Sequence, residues 1–206
     1  MNPFFPLFVV MIFFAIVFVF TLLRSVRIVP QKTALIVERL GKYSRTLEAG
    51  FHVLFPFIDK VRYRQTLKEQ AIDVPAQDCF TKDNVQVRVD GVLYLQVMDP
   101  KKASYGIKNY TYATVLLAQT TMRSVIGQLE LDNTFEAREK INASVVKAVD
   151  EASDPWGVKV SRYEIQNIKV STSIMDAMEA QMKAEREKRA EIARSLGEME
   201  TKINLS

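Results

Sequence analysis

From Phe4 to Leu23 only Pro6 and Thr21 interrupt an apolar run, and no residue from 1 to 23 is charged. Sixteen of those twenty positions are Leu, Ile, Val or Phe. Twenty helical residues at about 1.5 Å each span about 30 Å, the thickness of a bilayer's hydrocarbon core. The pattern predicts a transmembrane helix over residues 1–25, with Phe4, Phe8, Phe13, Phe14, Phe18, Phe20 and Leu23 among its anchoring side chains. A cleaved signal peptide needs a basic start, a shorter apolar stretch and a small-residue cleavage site, none of which is present. The pattern then turns to short β-rich runs. Thr33 to Glu38, "TALIVE", reads as a strand, Gly41-Lys42 as a turn and "YSRTLEAG" as the return arm. Arms of similar length bring Gly50 back to about the height of Pro30, and so back to the bilayer surface.

At that point stands "GFHVLFPFIDK", with six large apolar side chains: Phe51, Val53, Leu54, Phe55, Phe57 and Ile58. Alternation places Phe51, Val53, Phe55 and Phe57 on one face, while Pro56, which has no N–H to give a ladder, keeps the run off a central strand. Full burial of each such side chain is worth about 1.5–3 kcal/mol, so something must cover them. We read the six as a shallow membrane hook, helped by Lys60, Arg62 and Arg64 behind it. Packing at the edge of a core is the alternative that periodicity leaves open.

Farther on, Val85, Val87, Val89, Leu93, Leu95 and Val97 keep one phase of a long strand, and Gly91 predicts a bulge or bend within it. Residues 110–129 switch to helical spacing, with a stripe of Tyr112, Val115, Leu116, Gln119, Met122, Ile126 and Leu129. A second helix is expected to open at Asn133 with Glu136 completing a capping box, to bury Ile141, Val145, Ala148 and Ala152, and to stop before Asp154-Pro155. Gly157 then turns the chain into "VKVSRYEIQNIKV", another β-rich run. Strands followed by two helices and a returning strand make an α+β fold. From Ile174 a heptad seam runs to the last residue through Met175, Met178, Met182, Glu185, Arg189, Ile192, Leu196, Met199 and Ile203. Its flanks are too charged to bury inside a small domain, so Met178, Met182, Glu185, Arg189, Ile192, Leu196 and Met199 are expected to touch another subunit. Packing on the helix's own domain is the alternative. The seam is still in phase at Ser206, which leads us to expect a longer natural chain.

Charge refines this outline. All 28 basic and 24 acidic side chains lie beyond residue 23, for a net +4. Arg24, Arg27 and Lys32 follow the apolar run at once, so the positive-inside rule puts the amino terminus outside and the bulk of the chain in the cytoplasm. The mixed charges form no basic stripe with interleaved aromatics, so no nucleic-acid partner is expected. The single cysteine, Cys79, rules out an internal disulfide framework and CxxC chemistry. His52 is the sole histidine, which leaves no His-based metal cluster and no Ser/His/Asp triad with a histidine to spare. "GKYS" at Gly41 to Ser44 lacks the upstream glycine of a phosphate loop. Asp99, Asp132 and Asp154 sit at element ends, where capping explains them. No catalytic, cofactor-binding or metal-binding residues are assigned, and the chain is expected not to be an enzyme.

The runs "TKDNVQVRVDGVLYLQVMDPKKASYGIKNY", "LAQTTMRSVIGQLELD" and "DPWGVKVSRYEIQNI", after a membrane segment and "VPQKTALIVERLGKYSRTLEAGFHVLFPFIDKVRYR", resemble the stomatin/prohibitin group, the SPFH or band 7 proteins. The likeness is to the bacterial stomatin-like, or paraslipin, branch. It implies an anchor (1–25), an SPFH domain in a membrane-proximal β-rich part (26–82) and an α/β part (83–172), and the start of a charged coiled-coil-type helix (173–206). It further implies a single-pass protein of the bacterial inner membrane that self-associates into a large ring or cage. Such an assembly organises a membrane microdomain and modulates neighbours such as FtsH-type proteases or NfeD-like proteins. A regulatory adaptor that holds one membrane protease or channel in a small complex is the second reading. No cofactor is implied.

Overall fold

The structure is a computed structural model that describes residues 11–12 and 25–204, without the side chains of residues 173 and 197–204. The predicted anchor therefore lies outside the described residues, apart from Met11, Ile12 and Ser25. Among the described residues no helix is long and apolar enough to cross a membrane. Among the described residues from Val26 on, eight strands and five α-helices follow in order, with a short 3-10 helix (Asp154–Trp156) after the fourth: β1 (Val26–Val29), β2 (Thr33–Arg39), β3 (Lys42–Leu47), β4 (Gly50–Val53), β5 (Asp59–Thr66), β6 (Gln70–Phe80), β7 (Gln86–Val97), α1 (Pro100–Tyr105), α2 (Tyr110–Ile126), α3 (Leu131–Glu136), α4 (Arg138–Ser153), β8 (Val158–Val170) and α5 (Thr172–Asn204).

The first part is built from two small antiparallel sheets. β2 lies between β3 and β5, and β1 pairs with β4 in a two-stranded ribbon. The expected hairpin is present, turning through Leu40 and Gly41, both at positive φ (51° and 82°). Gly50 does return to the start of the hairpin, where it pairs with Val29. Val29, Val37, Leu47 and Leu54 form the small core.

The second part is an antiparallel sheet in the order β6-β7-β8 with α2 and α4 on one face. Gln70–Phe80 is hydrogen-bonded to β7, and its Val74 and Cys79 lie in the second core. The sheets accordingly divide between β5 and β6 instead of at residue 82. Pro75 has no N–H for the ladder, and the register slips there between Val74 and Gln77. On β7 the predicted phase holds, with Val87, Val89, Leu93, Leu95 and Val97 all buried. The predicted bulge at Gly91 falls where the β7–β8 register shifts. The reason for glycine is tertiary: a Cβ there would stand 2.5 Å from the Tyr163 hydroxyl and 2.7 Å from the Glu164 carbonyl oxygen. Tyr163 is wholly buried, and its hydroxyl donates to the Met122 sulfur at 2.8 Å.

Three helical expectations are corrected. α2 buries Thr114, Ala118, Met122 and Ile126, while Tyr112 and Leu116 face outward. The small Thr114 and Ala118 let the helix approach its neighbours closely, and close packing outweighs side-chain hydrophobicity in choosing the face. α4 buries Ile141, Val145, Val149 and Ser153, so Ala148 and Ala152 lie on its exposed side. Asn133 caps nothing. It lies inside the short α3, and α4 begins at Arg138 after Ala137. Asp83 accepts from the Leu131 N–H at 3.4 Å, which ties the start of α3 to the β6–β7 turn.

The two parts meet at α1. Asp99 caps that helix by accepting from the N–H groups of Lys101 and Lys102. The Tyr105 hydroxyl donates to Glu38 at 2.8 Å, its ring meets Tyr63 edge-on at 5.5 Å, and Gln65 donates to the Ser104 hydroxyl at 3.0 Å. Burial and the Glu38 carboxylate push the Tyr105 hydroxyl up to about 12.

Candidate membrane-contact site

The Phe-rich run is half strand and half turn. Gly50–Val53 forms β4, and residues 54–58 make a loop back into β5. The four alternating residues share one fate, since Phe51, Val53, Phe55 and Phe57 are all exposed, Phe57 by 94%. Ile58 is exposed as well. Leu54, included in the hook, is a correction: it falls on the opposite phase, is 6% exposed, and packs in the small core with Val29 and Leu47.

The ribbon adds two residues that sequence reasoning missed. Val26 stands opposite Val53, and Ile28, 78% exposed, stands opposite Phe51. Directly opposed residues share a face, so the exposed patch runs from the loop across both strands. The signal was present in "VRI", where apolar and charged residues alternate, but four residues between a long apolar run and Pro30 are a faint strand. Arg27 pairs with His52 in the same ribbon, and the His52 ring contacts the Glu48 carbonyl oxygen at 2.8 Å.

The loop is tied to the point where the apolar segment ends. The Leu54 N–H donates to the Ser25 carbonyl at 2.8 Å, two residues after Leu23. It is braced from the other side by Asp59, whose side chain has no exposed surface. Arg39 grips the carboxylate through Nε at 2.8 Å and Nη2 at 3.2 Å, and Arg45 approaches it at 3.9 Å while donating to the Val53 carbonyl at 2.7 Å. The Arg39 hydrogen bonds hold the Asp59 carboxyl below the usual carboxylate range against its burial. The same guanidinium lies 5.2 Å from the centre of the Phe55 ring. Between Ser25 and the loop is a hollow of about 250 Å³ with Arg27 and Lys60 among its lining residues.

The second set of predicted residues lies on α5. Met178 is partly buried and packs with Ile174 against the large core, so this end of the seam serves the helix's own domain. Met182, Ile192 and Leu196 are exposed. Arg189 donates to Glu185 one turn earlier, which closes the polar gap in the seam within the helix itself. The side chain of Met199 lies outside the described residues. Met175, Met178, Met182 and Phe135 line a groove of about 670 Å³ between α3 and α5. Cys79 is buried, which pushes its thiol upward. Among the described residues no three His, Cys, Asp or Glu side chains are grouped to hold a metal.

Comparison with known families gives a match to the SPFH domain / Band 7 family over residues 27–199. The chain belongs to this family. Among its relatives, human "Stomatin-like protein 2, mitochondrial" is 50% identical over 177 residues, covering 86% of this chain and 50% of that protein. "Stomatin-like protein stl-1" of Caenorhabditis elegans is 49% identical over 179 residues, covering 87% of this chain and 55% of its own length. An uncharacterized protein of Mycobacterium bovis is 41% identical over 193 residues, 92% of this chain and 51% of its own. The chain spans about half the length of the curated relatives it matches. The family match takes in both parts of this SPFH domain and most of the long helix.

Proposed function

We propose that this SPFH protein is a membrane-anchored scaffold whose copies assemble side by side and order a patch of bilayer and its neighbouring membrane proteins. The observation that carries the reading is the hydrogen bond from Leu54 to Ser25. Wherever the apolar segment ends at a bilayer surface, that bond holds Phe55 and Phe57 at the same height. The exposed faces of Phe51, Val53, Ile28 and Val26 then lie against the interface, where apolar side chains and nearby Lys and Arg both gain. Topology follows from Arg24, Arg27 and Lys32: amino terminus outside, domain on the cytoplasmic side.

The exposed Met182, Ile192 and Leu196 support lateral association through α5. Clients of FtsH or NfeD type remain part of the proposal, on the family resemblance alone. The test is the particle itself. The natural full-length protein, extracted in mild detergent and imaged, is expected as a large homo-oligomer. A strict monomer overturns the scaffold, and crosslinking that yields one dominant hetero-partner without a homo-oligomeric ladder favours the adaptor.

A further inference from the structure

An apolar side chain brings its backbone along when it enters lipid, and each unpaired N–H or C=O taken there costs several kcal/mol. The loop at 54–58 meets part of this demand, at the groups nearest Ser25 and Asp59. The Leu54 N–H is paired with Ser25, and Pro56 has no N–H to pair. The Phe55 N–H donates to the Asp59 carboxylate at 3.2 Å, and the Phe55 carbonyl accepts from the Asp59 N–H at 3.0 Å. The Ile58 carbonyl accepts from the Leu40 N–H at 3.4 Å. One residue, Asp59, therefore satisfies both backbone groups of Phe55 and closes the turn.

That turn carries a backbone cost. Phe57 sits at φ +70°, a region that bulky L-residues seldom occupy, and yet its side chain is 94% exposed and gains nothing from the domain. Exposure with strain is a poor outcome for a loop that merely connects two strands. It is a consistent outcome for a turn that is over-determined from behind so as to present one side chain outward.

We propose that Asp59, clamped by Arg39 and Arg45, is the positioning residue of the membrane contact: it neither touches lipid nor binds it, but pairs both backbone groups of Phe55 and so fixes the turn that presents Phe57. The inference rests on the membrane reading above. Phe55 is steadied by the same clamp, because Arg39 reaches both the Asp59 carboxylate and the face of the Phe55 ring. Arg45 joins the clamp to β4 through the Val53 carbonyl.

The experiment uses the full chain in vesicles, with Phe57→Trp as reporter and the parent, which keeps Trp156, as blank. Quenching by brominated lipids reads whether the residue-57 side chain is in the bilayer. In the reporter chain we expect clear quenching. Adding Asp59→Ala is expected to remove most of it while far-UV circular dichroism stays unchanged. Asp59→Asn, whose amide oxygen still accepts from Phe55, is expected to keep an intermediate share. Quenching in Asp59→Ala equal to that of the reporter chain overturns the positioning role and leaves the membrane contact standing. No quenching in the reporter chain overturns both. If the alanine chain does not fold, Arg39→Gln loosens the same clamp from its other side, and undiminished quenching in that folded variant overturns the proposal.

Discussion

The two parts of the domain treat large apolar side chains in opposite ways. The second part gathers Leu93, Leu95, Met122, Ile126, Ile141 and Tyr163 into one closed core beneath two helices. The first part keeps a small core of Val29, Val37, Leu47 and Leu54 and leaves Ile28, Phe51, Phe55 and Phe57 outside. Hydrophobicity alone does not decide which happens. Leu54 is buried between two exposed neighbours, because strand parity points it to the other side. A region that leaves its Phe residues uncovered is kept in shape by a short list of contacts, and an ion pair with its hydrogen bonds, Arg39–Asp59, replaces part of the missing packing.

This contrast is best strained first at its closed end. Gly91→Val drives a side chain into Tyr163 and the Glu164 carbonyl, and is expected to cost about 3 kcal/mol in denaturant unfolding. A change below about 1 kcal/mol would mean that the second core is as loose as the first. Next comes the boundary between the two behaviours. Leu54→Ala is expected to destabilise by about 2 kcal/mol, whereas Phe55→Ser with Phe57→Ser, one and three positions on, should shift stability by no more than about 0.5 kcal/mol. Equal losses in the two chains would place the Phe side chains in the core after all.

The smallest effect is electrostatic and compares one carboxyl from each part. Asp59 is depressed chiefly by Arg39 and Asp83 chiefly by the Thr81 hydroxyl. A carboxyl whose folded value is lowered adds stability that is present above its unfolded pKa of about 4 and is lost as pH falls through the folded value. Denaturant unfolding at pH 7 and pH 3 should therefore show a smaller acid loss in Asp59→Asn and in Asp83→Asn than in the parent. An unchanged acid loss in Asp59→Asn would remove the ion pair from the account of the first part.

Much of this was legible in the sequence. The single phase of β7, the bulge at Gly91, the hairpin turn at Gly41 and the stop at Asp154-Pro155 are local signals, and local signals survive folding. The exposed phase of Phe51, Val53, Phe55 and Phe57 was readable for the same reason. The faces of α2 and α4 were less so. Thr114, Ala118 and Ser153 are chosen by how closely helix and sheet must approach, which is a property of the partner surface. The clamp on Asp59 was not readable, because Arg39 and Arg45 reach it across β2 and β3, 20 and 14 residues away in sequence.

The joint between β8 and α5 is a single residue, Ser171, whose carbonyl accepts from the N–H groups of both Ile174 and Met175. With Ile174 and Met178 packed on the core, the helix root turns with the domain. Thirty-three helical residues extend about 50 Å at 1.5 Å each, so the helix works as a lever arm. A tilt of about 10° at the bilayer, too slight to break any contact described above, sweeps the helix tip through about 9 Å for an arm of that length. On the membrane contact proposed above, curvature or thickness sensed at Phe57 would arrive at the far end as a displacement as wide as another helix.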